Sequence, residues 1–330
     1  MITTLFALVI TAASYNFTPQ PLRLNRALVA NKDDVFWLRL GDLRTDQTSG
    51  ITYWKSSGET HTFLIVDDVG AVWSVKTSEN EGQTKIDLTK IKIQTPVPKD
   101  DISGWRKFDL EGITFDQISR SFTCVSEGRP SQVWEFTPAI GTFTSLPIKN
   151  LDLVLKEHAS ENKGLEAVAR SGNITILGLE GSFYGDAYLV IVENNRVTAL
   201  HNMTDEFGLS SITGADIYDS TLVLLDRNRD QVHFFELIQG KSLRQKSSFQ
   251  LNYRAPDGRL FQVHSPEGIT FGPDHTLWVT IDPWKVYEPR TSYGTRSDRV
   301  ETDENYIEKV PMIVRFRYDE TVIRNPPLDD

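Results

Sequence analysis

The chain has almost no cysteine. Cys124 is the single one in 330 residues, so no intrachain disulfide can form. It lies in the strand-like run Ser121-Phe-Thr-Cys-Val125 and reads as a buried, inert thiol, not a nucleophile. Long apolar runs are missing as well. Leu5 to Ile10 is too short to cross a bilayer, and no other segment is apolar enough to try. An excess of basic charge is missing: 45 acids outnumber 35 Lys and Arg for a net charge of −10, which argues against a phosphate-backbone grip on nucleic acid. There is no His-x-His or His-x-x-x-His pair, so a tight zinc site has no support. Neither a Gly-x-Ser-x-Gly elbow nor a phosphate-cradling glycine loop occurs. No long helical period is present either.

What is present is a repeat. Asp109-Leu-Glu-Gly-Ile-Thr-Phe-Asp116 returns, varied, as Ser49-Gly-Ile-Thr-Tyr53, Leu165-Glu-Ala-Val-Ala169, Thr213-Gly-Ala-Asp-Ile217 and Pro266-Glu-Gly-Ile-Thr-Phe271. The small residue recurs at Gly50, Gly112, Ala167, Gly214 and Gly268, in steps of 62, 55, 47 and 54 residues. A period of this size signals one supersecondary unit used repeatedly. Within each unit the order is constant. The motif strand comes first, then an apolar strand ending in an acid, a third strand rich in Val, Trp and Phe, and a polar fourth segment. Short β-branched and aromatic runs separated by turn residues indicate an all-β fold, and four strands per unit indicate a β-propeller. Five four-stranded blades are counted. A degenerate sixth blade, built from the N-terminal segment and a polar insertion at about 283–311, is the alternative. An open sandwich would leave the recurring motif unexplained.

The last unit lacks a fourth strand, and Val35-Phe-Trp-Leu-Arg-Leu40 has no unit of its own. Pairing the two ends would close the ring and remove exposed edges. Tyr15 to Asp34 reads as polar and irregular. In residues 1–14, Ala12 and Ser14 suit the −3 and −1 sites of a signal peptidase, although no Lys or Arg precedes the apolar run. The reading is a signal peptide followed by a single propeller domain over 15–330, secreted or periplasmic, with a first strand or frayed end as the alternative.

The first strand of a propeller blade lines the central channel, so a motif at its start places one residue per blade around the axis. Here that ring is Ser49, Glu111, Glu166, Thr213 and Glu267. A second column of acids closes each second strand: Asp67 (with Asp68), Glu127, Glu180, Asp226 and Asp282. Converging carboxylates cannot all stay ionised without compensation. A hard cation such as Ca²⁺, which takes six to eight oxygens, would compensate. So would the arginines of Glu127-Gly-Arg129 and Asp226-Arg-Asn-Arg229. The expected metal ligands are Glu111, Glu166, Glu267, Glu127, Glu180, Asp226, Asp282 and Asp67.

Leu110-Glu-Gly-Ile-Thr114, Lys163-Gly-Leu-Glu-Ala167 and Ser265-Pro-Glu-Gly-Ile-Thr270, with Val125-Ser-Glu-Gly-Arg129 and Leu225-Asp-Arg-Asn228, resemble motifs of two related propeller families. One is the phytase-like family, also described as the esterase-like activity of phytase. The other is the SdiA-regulated family of bacterial extracytoplasmic proteins. The resemblance covers roughly residues 45 to 285. It implies a secreted or periplasmic propeller with calcium in or near its channel and, for the phytase-like members, hydrolysis of an ester or phosphoester. Units one and four depart from the pattern, carrying Ser49 and Thr213 where Glu is usual, and no dense Lys/Arg cluster is available to hold a polyphosphorylated sugar.

On this reading the chain is a monomeric metal-assisted hydrolase. The acids hold Ca²⁺, Arg129 and Arg227 hold an anionic substrate, and His264 carries the proton. The alternative is a non-catalytic module that binds a carbohydrate or protein, at the channel mouth or through the aromatic residues of the insertion.

Overall fold

The computed structural model describes residues 27–45, 47–80, 83–94, 108–127, 131–159, 164–180, 186–254, 258, 260–263, 265–282 and 310–319. Residues 1–14, Arg129, His264 and nearly all of the 283–311 insertion lie outside this set. Five four-stranded blades stand in a ring. Blade 1 comprises Thr48–Ser57, Thr60–Asp67, Val72–Asn80 and Gln83–Ile91, and blade 2 Leu110–Asp116, Ser121–Ser126, Gln132–Thr137 and Thr142–Ser145. Blade 3 comprises Leu165–Ser171, Ile174–Leu179, Tyr188–Glu193 and Arg196–Asn202, and blade 4 Gly214–Tyr218, Thr221–Asp226, Gln231–Ile238 and Ser242–Arg254. Blade 5 takes Pro266–Gly272, Thr276–Ile281 and Met312–Arg317 from the end of the chain and Val35–Trp37 from its beginning. The alternative of a sixth blade is not realised.

The ends pair in the expected way: Val35 lies opposite Val314 and Trp37 opposite Met312. A buried ion cluster holds the joint. The Asp34 carboxylate accepts from Arg315 Nε at 2.9 Å and Arg317 Nη1 at 2.8 Å. The Arg315 guanidinium also lies over the rings of Phe36 and Trp278, at 5.6 and 5.5 Å. Ala27–Asn31, read above as irregular, forms a strand parallel to the outer strand of blade 4, with Leu28 opposite Leu251. Five residues are too few to show a period, and the pairing covers an edge that would otherwise be open.

Among the described residues the apolar core divides into five clusters, one between each pair of neighbouring blades. The second strands explain this division. Each is buried on both faces, and in blades 1 and 4 it reads as an unbroken apolar run instead of an alternation. Phe63 and Ile65 pack toward blade 5, while Leu64 and Val66 pack toward blade 2. Leu222 and Leu224 pack toward blade 3, Val223 and Leu225 toward blade 5. Burying each such side chain contributes about 1.5–3 kcal/mol. Cys124 belongs to the layer between blades 1 and 2, fully buried, and burial pushes its thiol far up, as expected of an inert cysteine.

The repeat motif has two structural duties. Its small residue lets inner strands touch. A Cβ on Gly50 would lie 2.7 Å from Ile113 N, and one on Gly268 would lie 2.4 Å from Ser49 O. The residue two positions later fastens the blades. Thr52 Oγ1 accepts from Phe115 N of blade 2 at 2.8 Å, and Thr270 Oγ1 from Tyr53 N of blade 1 at 3.0 Å. In blade 4 the equivalent Asp216 accepts from Phe271 N of blade 5 at 2.8 Å. Blade 2 meets blade 3 through a different acid, Asp116, which accepts from Gly172 N at 3.1 Å.

Candidate functional site

The axial ring forms. Ser49, Glu111, Glu166, Thr213 and Glu267 are all buried, each at the entry of its blade's inner strand. A backbone irregularity aims the glutamates. In blade 2 the register slips so that Gly112 faces Val125 but Leu110 faces Ser126, leaving Glu111 as the extra residue. Glu166 and Glu267 are the extra residues of equivalent slips in blades 3 and 5. A β-bulge of this kind turns one side chain out of the pleat. Three copies of it point three carboxylates to the head of the channel.

The ring divides into two halves with different electrostatics. On the side of blades 3, 4 and 5, Arg227 supplies the compensating charge. It projects from the 3₁₀ turn Arg227–Arg229 after the second strand of blade 4. One guanidinium nitrogen donates to Glu267 at 2.6 Å and the other to Glu180. Burial alone would lower the arginine's pKa, but the Glu267, Glu166 and Glu111 carboxylates outweigh it and raise it. Both arms of this side chain are thus engaged by acids, which balances charge at the head of the channel.

On the side of blades 1, 2 and 3 the acids cluster on one another. Glu111, Glu127 and Glu166 bring one carboxylate oxygen each within 4.8 Å of the others. Asp68, Asp109 and Glu111 do the same, so Glu111 belongs to both groups. Oxygens on opposite sides of a divalent cation are about 4–5 Å apart, twice the bond length, so this spread can accommodate a metal ion. The donor set is entirely hard oxygen. These acidic residues are positioned to hold a metal ion.

Other expected ligands among the described residues make bonds within the protein. Asp67 is tied to its own hairpin, accepting from Ala71 N at 2.6 Å and Trp73 Nε1 at 2.9 Å. Asp226 accepts from Ser210 N at 2.8 Å and Ser210 Oγ at 2.9 Å. Burial raises the pKa of both despite these bonds. Thr213 donates to Pro266 O of blade 5 at 3.2 Å, which knits the ring. Asp282 is fully buried. His158 ends the helix Leu151–His158 and stacks on Tyr188, with ring centroids 4.2 Å apart.

Sequence reasoning passed over Asp109 and gave Asp68 only as a companion of Asp67. Comparing the position two residues before each axial residue finds Asp109. The five occupants are Gln47, Asp109, Gly164, Ser211 and Ser265, and only blade 2 has an acid there.

No helix among the described residues is long and apolar enough to cross a membrane. A family model described as Phytase-like, esterase-like activity of phytase, matches residues 44–208. No curated protein matches the chain. Several solved propellers resemble it in outline. A PQQ-bound aldose sugar dehydrogenase from Streptomyces coelicolor is 8% identical with a TM-score of 0.41, over 86% of this chain and 97% of that one. A chain of a nidogen/laminin complex is 12% identical with a TM-score of 0.39, over 74% and 83%. The RRP9 WD40 repeats are 10% identical with a TM-score of 0.43, over 87% and 99%.

Proposed function

The chain belongs to the phytase-like family, and from that premise we propose that it is an extracytoplasmic hydrolase that cleaves an ester or phosphoester at the head of its channel with the help of bound Ca²⁺. The observation that supports this reading is the pair of carboxylate groups sharing Glu111. Glu111, Glu127 and Glu166 would hold the cation, with Asp68 and Asp109 beside them. A hard divalent cation supplies Lewis acidity toward a carbonyl or phosphoryl oxygen.

The chain's own residues do the rest. Arg227 pairs with Glu180 and Glu267, while the carboxylates that crowd on one another lie in blades 1 to 3, which makes that region the one to attract a cation. The bulges fix the direction of the glutamates before any ligand arrives, which keeps the reorganisation on binding small. Arg129 follows Glu127 by two residues, and we assign it to the anionic group of the substrate. His264 precedes the blade 5 motif, and we assign it to proton transfer. Both assignments rest on sequence position.

The test is metal content and melting temperature of the purified chain and of Glu111→Gln, after chelation and after Ca²⁺ is restored, followed by turnover on p-nitrophenyl esters and phosphates. A cation binding only the folded state stabilises it by about 2.7 kcal/mol at a hundred times Kd. The expected result is stoichiometric calcium and a reversible rise in Tm, both lost in Glu111→Gln together with turnover. Chain without metal and without a shift refutes the site. Calcium uptake without turnover refutes the hydrolase and leaves a calcium-stabilised binding module.

A further inference from the structure

A second cleft opens far from the acidic ring, and nothing above uses it. It lies between blades 1 and 2, has a volume of about 720 Å³, and is lined in part by Trp54, Lys55, Phe115, Arg120, Glu135 and Phe136. Trp54 follows Ser49 by five residues along the inner strand, so the cleft sits roughly 15 Å from the ring, at the other end of the channel wall. Its size is that of a small-molecule site.

Trp54 is placed there by a specific device. The inner strand of blade 1 slips register a second time, with Tyr53 opposite Phe63 and Lys55 opposite Thr62. Trp54 is the residue left over. The inner strands of the other four blades show no slip at this end. The indole is then braced edge-on by Phe122, with centroids 5.5 Å apart, and Phe115 packs on the same ring at 4.7 Å. The result is a rigid aromatic floor. Lys55 Nζ stands 4.1 Å from the indole centroid. Among the described residues neither Lys55 nor Arg120 forms an ion pair, and both are exposed. Lys55, whose ammonium lies over the indole, and Arg120 against the single acid Glu135 give this cleft a positive balance in a chain of net charge −10.

We propose that this cleft binds an acidic saccharide, a pyranose ring that carries a carboxylate. The CH-rich face of a pyranose packs on an aromatic surface, which Trp54 and Phe115 provide. A sugar carboxylate matches Lys55 and Arg120. Glu135 accepts hydroxyl protons, as a polyhydroxylated ligand requires. A neutral sugar would bring no anion to Lys55 and Arg120, and a purely aromatic ligand would not use the polar rim.

The experiment titrates the full chain with short oligogalacturonates in EDTA, so that neither calcium nor the acidic ring takes part, and reads tryptophan fluorescence and heat. Saturable binding is expected, weakened about tenfold or more by Trp54→Ala and by Arg120→Asn and unchanged by Glu111→Gln. Arg120 has a φ of 55°, a conformation that asparagine tolerates, so this variant keeps its fold if the indole truncation does not. Absence of saturable binding overturns the proposal. So do equal binding of neutral cello-oligosaccharides and binding that responds to Glu111→Gln but not to Arg120→Asn.

Discussion

Arg227→Met tests the division of the acidic ring into a half balanced by Arg227 and a half whose carboxylates are positioned to hold a metal ion. Methionine keeps much of the side chain's length and removes its charge. Glu180 and Glu267 then remain at the head of the channel without their ion pairs, with side chains only 6% and 2% exposed. Breaking a buried pair by removing one partner costs about 3–5 kcal/mol. A 330-residue chain unfolds with an entropy of about 0.7 kcal/mol per kelvin. The variant should therefore melt about 4–7 °C lower at pH 8 in EDTA, read by calorimetry. Glu180→Gln in the same background should restore part of the loss, since the uncompensated charge goes with it. Added Ca²⁺ should also raise the variant's Tm more than the parent's, because more carboxylates are left to share the ion. A loss below about 1 °C, with no coupling to Glu180, would refute the charge-balance role.

Three further outcomes follow from the ring. Gly268→Ala places a methyl 2.4 Å from Ser49 O and 2.8 Å from Ile51 N, so the blade 5–blade 1 contact should open at a cost of about 3 kcal/mol or more, measured by urea denaturation. Asp34→Asn removes the carboxylate charge that Arg315 and Arg317 share and should cost about 3 kcal/mol, with faster amide exchange in Met312–Arg317 than in the inner strands. Burial pushes Asp216 up to about 6, above its unfolded value of 3.8. The folded state thus binds the proton more tightly, so this group's contribution is present at low pH and is lost as pH rises from about 4 through 6, by about 2–3 kcal/mol in all. Asp216→Asn should flatten that part of the stability–pH curve, and an unchanged curve would contradict the assignment.

The architecture was legible because its causes are local and repeated. Crowding at Gly50, Gly112, Gly214 and Gly268 demands a small residue in every blade, so the requirement is written once per unit. The apolar runs at Phe63–Val66 and Leu222–Leu225 announce strands buried on both faces. The site was legible only as two columns of acids. Which acids join a cation group depends on bulges and on neighbours from other blades, and neither leaves a mark in one unit's sequence. Asp67 and Asp68 are adjacent and chemically alike, yet Trp73 and Ala71 claim the first and leave the second to the ring. Sequence shows Arg227 beside Asp226, but not that Glu267 arrives from the next blade to pair with it.

Blade 5 takes its outermost strand from residues 35–37 and its other three from residues 266–317. The first four blades can therefore zip up as they leave the ribosome, but the fifth has to wait for nearly the whole chain. Until then the blade 1 face carrying Ile51, Phe63 and Trp73 has no cover, and this is the interval in which aggregation competes with folding. The closing contacts, Asp34 with Arg315 and Arg317, span 281 and 283 residues. Separations of that size make ring closure the slow step. A permuted chain that begins at blade 1 and carries Val35–Trp37 at its end would make the same blade from consecutive sequence. It should reach the same ring sooner.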